Sequence, residues 1–179
     1  DTAIPNLFQV LDFHEQLIES LSQLASLFCE TGKKEEAVQT NYEALKGYRK
    51  LLEKNPSVYY VYDTQVASIL SQLSFDLGEL GRKKEALDVT QEAVEAYRKL
   101  SHEDPDAFNA LLAMNLKYLG NQLSELGQQT KAVTVYSEAL KTMRMYVIRN
   151  SSAKEDLSEY AQAYTQACAA TNLQPDSDL

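Results

Sequence analysis

Residues 70–100 read LSQLSFDLGELGRKKEALDVTQEAVEAYRKL, and their pattern indicates the architecture of the whole chain. Leucine recurs in its first half at steps of three and four residues, which predicts one apolar stripe of a helix: Leu70, Leu73, Leu77 and Leu80. Gly81 follows, and a glycine can take a positive φ at the end of a helix and so satisfy its last carbonyl groups. A second helix then carries its own inner stripe: Ala86, Thr90, Ala93, Tyr97 and Leu100. The stretch therefore predicts a helical hairpin.

The same hairpin recurs on both sides of this stretch. Its anchor is the alanine after the charged turn, which stands at Ala37, Ala86 and Ala132, so the period is 49 and then 46 residues. Each copy keeps leucine sixteen and thirteen residues before the anchor, glycine five before it and a second alanine seven after it. A fixed period of this length indicates stacked supersecondary units that bury one another's apolar faces.

The repeat resembles the tetratricopeptide repeat (TPR). The matching features are the Leu-x-x-Leu pair, a small residue directly after it (Ala25, Ser74 or Gly120), the turn glycine and the two alanines. The resemblance covers about residues 5–150, with a longer period than the 34 residues usual in the family. It implies an all-α, right-handed α-solenoid of three extended hairpins.

The chain is expected to form one solenoid over residues 1–173, with repeats at about 5–55, 56–104 and 105–150. Asn55-Pro56 and Asp104-Pro105 mark the two boundaries, because Asn and Asp cap helices and proline suits a first helical turn. The first helix, opened by Pro5, carries its own apolar stripe: Val10, Leu17, Leu21, Leu24 and Phe28.

The last repeat is followed by one more predicted helix, at about 152–172, and by a tail at 174–179 that we expect to be disordered. Residues 152–155 form a capping box, and one stripe is apolar: Leu157, Ala161, Tyr164 and Cys168. We interpret this helix as the cap of the solenoid. If the chain is a fragment, as its start at Asp1 suggests, the helix is instead the first of a fourth repeat.

Composition excludes several classes of function. The formal net charge of −9 argues against nucleic acid and against an anionic membrane surface. Two cysteines at no metal spacing favour a reducing compartment, so we expect a cytoplasmic protein without metal or cofactor. His14 lies on the apolar stripe and is read as a packed or partly solvated side chain rather than a ligand. No acid–base or phosphate-binding motif is present in the sequence, and we predict that the chain is not an enzyme.

The resemblance implies a concave groove that is lined by the first helix of each repeat and holds a peptide or partner helix. Carried over by position, the expected partner-binding residues are Ser22, Ser26, Cys29, Ser71, Phe75, Met114, Lys117, Asn121 and Ser124. Glu19, Ser68 and Gly78 complete the aligned positions. The surface is polar and rich in serine, with Phe75 and Met114 as apolar anchors.

Two further features have two interpretations each. Lys117 and Asn121 stand four residues apart, as in the clamp-type members that grip a C-terminal carboxylate, or else they are a solvated lysine beside a polar asparagine. The aromatic residues 59–62, YYVY, either contact a partner or pack an extended helix against its neighbour.

The leading hypothesis from these patterns is a non-catalytic adaptor or scaffold, a module that binds a peptide or helical segment of another protein. The alternative is a C-terminal sensor or self-association segment of a larger multidomain signalling NTPase. An unpaired last helix and the start at Asp1 motivate this alternative.

Overall fold

The computed structural model describes the backbone of residues 7–54, 59–150 and 154–176, and the side chains of 16–53, 62–150 and 157–176. This described part is all-α and contains no strand. Its helices are α1 (Leu7–Glu30), α2 (Lys34–Lys54), α3 (Tyr59–Glu79), α4 (Lys83–Glu103), α5 (Pro105–Glu125), α6 (Gln129–Arg149) and α7 (Lys154–Ala170). The chain forms two compact units, residues 1–86 and 87–179. The predicted order of three hairpins and a last helix is confirmed.

Each hairpin turns at a glycine with a positive φ, as the sequence predicts. The φ angles of Gly32, Gly81 and Gly127 are 76°, 75° and 74°. At the second turn the N–H of Arg82 donates to the carbonyl of Leu77 at 2.9 Å, and that of Gly81 donates to Gly78 at 3.0 Å. These bonds satisfy carbonyl groups that the end of α3 would otherwise leave without partners.

In the first unit α2 packs on both α1 and α3. The stripe of α3 is buried at Leu70, Leu73 and Leu77, whose side chains are at most 1% exposed. Leu80, the fourth residue of the predicted stripe, follows the last residue of α3 and is only half-buried. The alanines of α2 at positions 37 and 44 are fully buried, which allows close approach of the neighbouring helices.

The first helix differs from its predicted stripe. Leu17 and Leu24 are 49% and 40% exposed, whereas Ile18 and Ala25, one position further along, are 5% and 1% exposed. The buried side of α1 is the one that meets α2, where Ile18 lies so close to Gly47 that a Cβ there would be 2.6 Å from Ile18 Cγ1. Pro5 and the side chains of Val10 and His14 lie outside the described residues.

In the second unit α5 and α6 form the third hairpin, and α7 packs on both. Asp104 caps α5 as predicted, since its side chain accepts a hydrogen bond from the Ala107 N–H at 3.1 Å and Pro105 occupies the first turn. The core of the hairpin includes Leu116 and Ala132, which are fully buried. The corresponding boundary at Asn55-Pro56 lies outside the described residues.

The last helix buries Tyr164 and Cys168 of its predicted stripe, together with Tyr160 and Ala167. Leu157 and Ala161 are half-buried. Beyond the helix, the N–H of Asp176 donates to the Tyr164 hydroxyl at 3.1 Å. The capping box at 152–155 falls on residues whose side chains are not described.

Candidate functional site

The expected partner-binding residues lie on two surfaces, which we describe by unit. In the first unit the α1–α3 face consists of Ser22, Ser26, Cys29, Ser71 and Phe75. In the second unit the α5 face consists of Met114, Lys117, Asn121 and Ser124. All nine side chains are exposed or half-buried, and the apolar Phe75 and Met114 are 49% and 48% exposed.

On the α1–α3 face, the hydroxyls of Ser22 and Ser26 form hydrogen bonds within their own helix. Ser22 donates to the carbonyl of Ile18 at 3.2 Å, and Ser26 donates to that of Ser22 at 3.2 Å. A hydroxyl that donates in this way keeps lone pairs that can accept a hydrogen bond. This part of the face therefore offers acceptors to a bound chain, beside the half-exposed ring of Phe75.

The Cys29 side chain belongs to a hydrogen-bonded cluster between α1 and α3. Its thiol donates to both carboxylate oxygens of Asp76, at 3.2 and 3.1 Å, and the Gln72 amide donates to Asp76 Oδ1 at 3.0 Å. Burial and the bond to Asp76 raise the pKa of Cys29 to about 11. Cys29 is therefore a neutral thiol at physiological pH, which is unsuited to nucleophilic chemistry.

Asp76, like Gln72, is a residue of this cluster that the sequence patterns did not single out. It is only 2% exposed, and burial raises the pKa of its carboxyl above the ordinary value, while the bonds from Cys29 and Gln72 lower it. Lys34 lies close enough to act electrostatically, although its amine forms an ion pair with Glu79 at 2.7 Å. A signal was present: Asp76 stands between Leu73 and Leu77, a charged residue beside an apolar stripe.

On the α5 face, Lys117 is bound to α7. Its amine lies 2.7 Å from a carboxylate oxygen of Glu159 and 4.9 Å from the ring centroid of Tyr160. The hydrogen bond with Lys117 lowers the pKa of Glu159 below its ordinary value. Lys117 is thus half-buried and already paired with a carboxylate of its own chain, a contact that neither sequence interpretation included.

The neighbouring Asn121 is also engaged. Its Oδ1 accepts a hydrogen bond from the Tyr136 hydroxyl of α6 at 2.7 Å, and burial raises the pKa of Tyr136. Next to it, the carbonyl of Ser124 accepts from the Gln129 side chain at 3.2 Å. A ligand carboxylate at this position would compete with Glu159 for Lys117.

The described residues hold no group of three or more His, Cys, Asp or Glu side chains placed to bind a metal ion. Of the helices described, none combines the length and apolar character needed to cross a membrane.

Comparison with known families agrees with the repeat. A family model described as tetratricopeptide repeat matches residues 17–57 and 66–106, which correspond to the first two hairpins. A search of curated proteins found no significant match. The third hairpin keeps the same glycine turn and the same two buried alanines, at 132 and 139. The first two hairpins thus carry tetratricopeptide repeats, in agreement with the resemblance seen in the sequence.

Proposed function

We propose that the chain is a non-catalytic adaptor module, and that the α1–α3 face of the first unit and the α5 face of the second each bind a peptide or helical segment of another protein. Tetratricopeptide repeats serve as protein–protein interaction modules, which supports the general class. The observation that carries the finer proposal is the pair of half-exposed apolar side chains, Phe75 and Met114, within otherwise polar surfaces. An apolar anchor surrounded by polar groups is the arrangement by which helical grooves hold a peptide.

The α1–α3 face supports a ligand that donates hydrogen bonds. The hydroxyls of Ser22 and Ser26 donate to their own helix and so retain acceptor capacity. An extended peptide or a helix with serine, asparagine or lysine beside an apolar side chain meets these requirements, because its N–H groups find acceptors while the apolar side chain covers Phe75. The acidic character of the chain further favours a neutral or basic segment.

On the α5 face, Met114 supplies the apolar contact and Lys117 the cation. Because Lys117 pairs with Glu159, a ligand carboxylate must displace Glu159 to reach it. The free energy of binding therefore gains only the difference between the new ion pair and the one that is lost. We therefore assign Met114 the larger share of binding on this face, and Lys117 a share in selecting the ligand. Cytoplasmic location is part of the proposal, supported by two free cysteines.

Affinity capture from lysate of the source cells, read by mass spectrometry, tests the proposal with single variants. Phe75→Ala removes the anchor in the first unit and Met114→Ala the one in the second. Ile148→Ala is the matched control, since Ile148 is 80% exposed on α6 and belongs to neither face. We expect partners that are lost with Phe75→Ala or Met114→Ala and kept with the control. Partners retained by all three variants would contradict the assignment of the faces.

Once a partner segment is identified, its synthetic peptide allows a direct measurement by fluorescence anisotropy. Removal of a central apolar anchor is expected to weaken binding by about tenfold or more, which corresponds to roughly 1.4 kcal/mol. Circular dichroism of each variant checks that helix content and Tm are those of the natural chain.

A further inference from the structure

The outer side of α1 carries an apolar surface, the leucine face, that consists of Leu17, Leu21, Leu24, Leu27 and Phe28. The exposed fractions of Leu17, Leu24 and Leu27 are 49%, 40% and 53%, and the other two side chains are half-buried. Clusters of large exposed apolar side chains are uncommon on soluble proteins and mark sites of association.

Equivalent positions elsewhere in the repeat are covered by a helix. Val66, Leu70, Leu73 and Leu77 of α3 correspond to Leu17, Leu21, Leu24 and Phe28, and their exposed fractions are 9%, 1%, 0% and 0%. The helix α2 packs on α3. The leucine face thus carries large apolar side chains at the same positions of the repeat, and another helix can pack on them. By contrast, the exposed side of α7 is polar, with Glu159, Gln162, Thr165 and Gln166.

The charge and the residue spacing of the leucine face indicate which helix can pack on it. The chain carries a net charge of −9, yet residues 20–29, SLSQLASLFC, contain no charged side chain. A two-fold interface brings a surface against itself, so its centre must be free of like charges. The four residues at 17, 21, 24 and 28 are spaced by four, three and four, and this spacing is the same when the helix is reversed.

We propose that the leucine face binds the leucine face of a second copy of the chain, as an antiparallel pair of α1 helices. In this register Leu17 of one copy lies at the level of Phe28 of the other, and Leu21 at the level of Leu24. The residues at the centre are all neutral, and apolar side chains interlock as they do in antiparallel helix pairs. This inference does not depend on the α1–α3 face or the α5 face.

Ionic strength provides a distinctive signature. Outside the leucine face, two copies of an acidic chain repel each other, and added salt screens this repulsion. The dimer is therefore expected to tighten as salt rises. An association driven by ion pairs would weaken under the same change.

Sedimentation equilibrium of the 179-residue chain over a range of concentrations and at low and high salt is the test. We expect a monomer–dimer equilibrium whose Kd rises by about tenfold or more in Leu24→Glu and in Leu17→Glu, because each variant places a charge opposite apolar side chains. Ile148→Glu is the matched control, an equally drastic change at an exposed residue of α6, and should leave the Kd unchanged.

Circular dichroism confirms that each variant keeps its helix content, and the two leucine positions guard against a folding defect at one of them. A chain that stays monomeric at every concentration would overturn the proposal, as would a dimer whose Kd is the same in both leucine variants. Neither result would affect the adaptor proposal, whose variants lie on α3 and α5.

Discussion

The Cys29 thiol of α1 donates to both carboxylate oxygens of Asp76 in α3, at 3.2 and 3.1 Å. This contact joins the first helices of two consecutive repeats, 47 residues apart in the sequence. The contact acts differently on the two groups: burial and the bond to Asp76 raise the pKa of Cys29, whereas the bond that the thiol donates lowers the pKa of Asp76, which burial raises. The pair therefore governs both the chemistry of the thiol and the pH dependence of the first unit.

Cys29 is expected to react slowly with thiol reagents. Its pKa rises from 9.0 to about 11, so the fraction of reactive thiolate near pH 8 falls by about 100-fold relative to an unperturbed cysteine. Iodoacetamide labelling followed by mass spectrometry, in a Cys168→Ala background, measures the rate against a free thiol such as N-acetylcysteine. Asp76→Asn should accelerate labelling only in part, because burial is the largest cause of the shift. A rate equal to that of the free thiol would contradict the cluster.

Asp76→Asn is expected to stabilise the chain at pH 7. Because burial raises the folded-state pKa of Asp76, the native state holds the proton more tightly than the unfolded state. Stability is therefore greatest below the unfolded pKa and falls as the pH rises through the folded one. Asp76→Asn removes this loss of stability, so its Tm should exceed that of the natural chain at pH 7. The difference in Tm should shrink as the pH is lowered through the raised pKa of Asp76.

The size of this effect should be of order 1 kcal/mol, the scale on which buried polar groups act, or about 2–4 °C in Tm for a chain of this length. Thermal unfolding by circular dichroism from pH 3 to pH 8 measures it. Asp88→Asn on the exposed side of α4 is the control and should change Tm little. A lower Tm for Asp76→Asn at pH 7 would show that hydrogen bonds stabilise the Asp76 carboxylate by more than its burial destabilises it.

The fold could be predicted because its signals are local and repeated. Gly81 and its counterparts take the positive φ that a helix end requires, and Asp104 caps α5 as its place before Pro105 indicates. The stripe of α1 could not be predicted in the same way. Which side of a helix is buried depends on the neighbours that cover it, and Leu17 and Leu24 are exposed where Val66 and Leu73 are buried.

Two contacts of the candidate site were less predictable, since Cys29–Asp76 and Lys117–Glu159 join residues more than 40 positions apart. Lys117 was identified from its spacing to Asn121, but its partner Glu159 lies on α7, where a single exposed carboxylate has no pattern in the sequence. Asp76 gave a weak signal as a charge beside leucines. Its bond to Cys29 depends on how α1 and α3 face each other, which the period alone does not specify.

Gly120→Ala is expected to destabilise the second unit. A Cβ at this position would lie 2.6 Å from Cε1 of Tyr136, a rigid ring that is 6% exposed and held by its bond to Asn121. Overpacking of this kind costs about 1–3 kcal/mol, so Tm should fall by several degrees. The background Tyr136→Leu is the control, where the same change should be neutral or stabilise by up to about 1 kcal/mol through helix propensity. An unchanged or higher Tm for Gly120→Ala alone would contradict the close packing.

Glu159→Gln is expected to loosen α7 slightly and to free Lys117 for other partners. The ion pair is partly exposed, with 28% and 67% of the two side chains accessible, so Tm should fall by less than about 2 °C. Because Lys117 lowers the pKa of Glu159, the pair contributes above the ordinary pKa of a glutamate, and its contribution is lost as the pH falls through the lowered value. The difference between Glu159→Gln and the natural chain should therefore vanish in acid.

The same variant distinguishes a ligand-binding lysine from a structural one. If Lys117 contacts a partner carboxylate, Glu159→Gln raises the affinity for that partner, because the internal competitor is gone, whereas Lys117→Met lowers it. If Lys117 only holds α7, both variants reduce Tm alike and leave the affinity unchanged. Anisotropy with the partner peptide, beside thermal unfolding of the two variants and of the double variant, separates these outcomes and measures the coupling between the two residues.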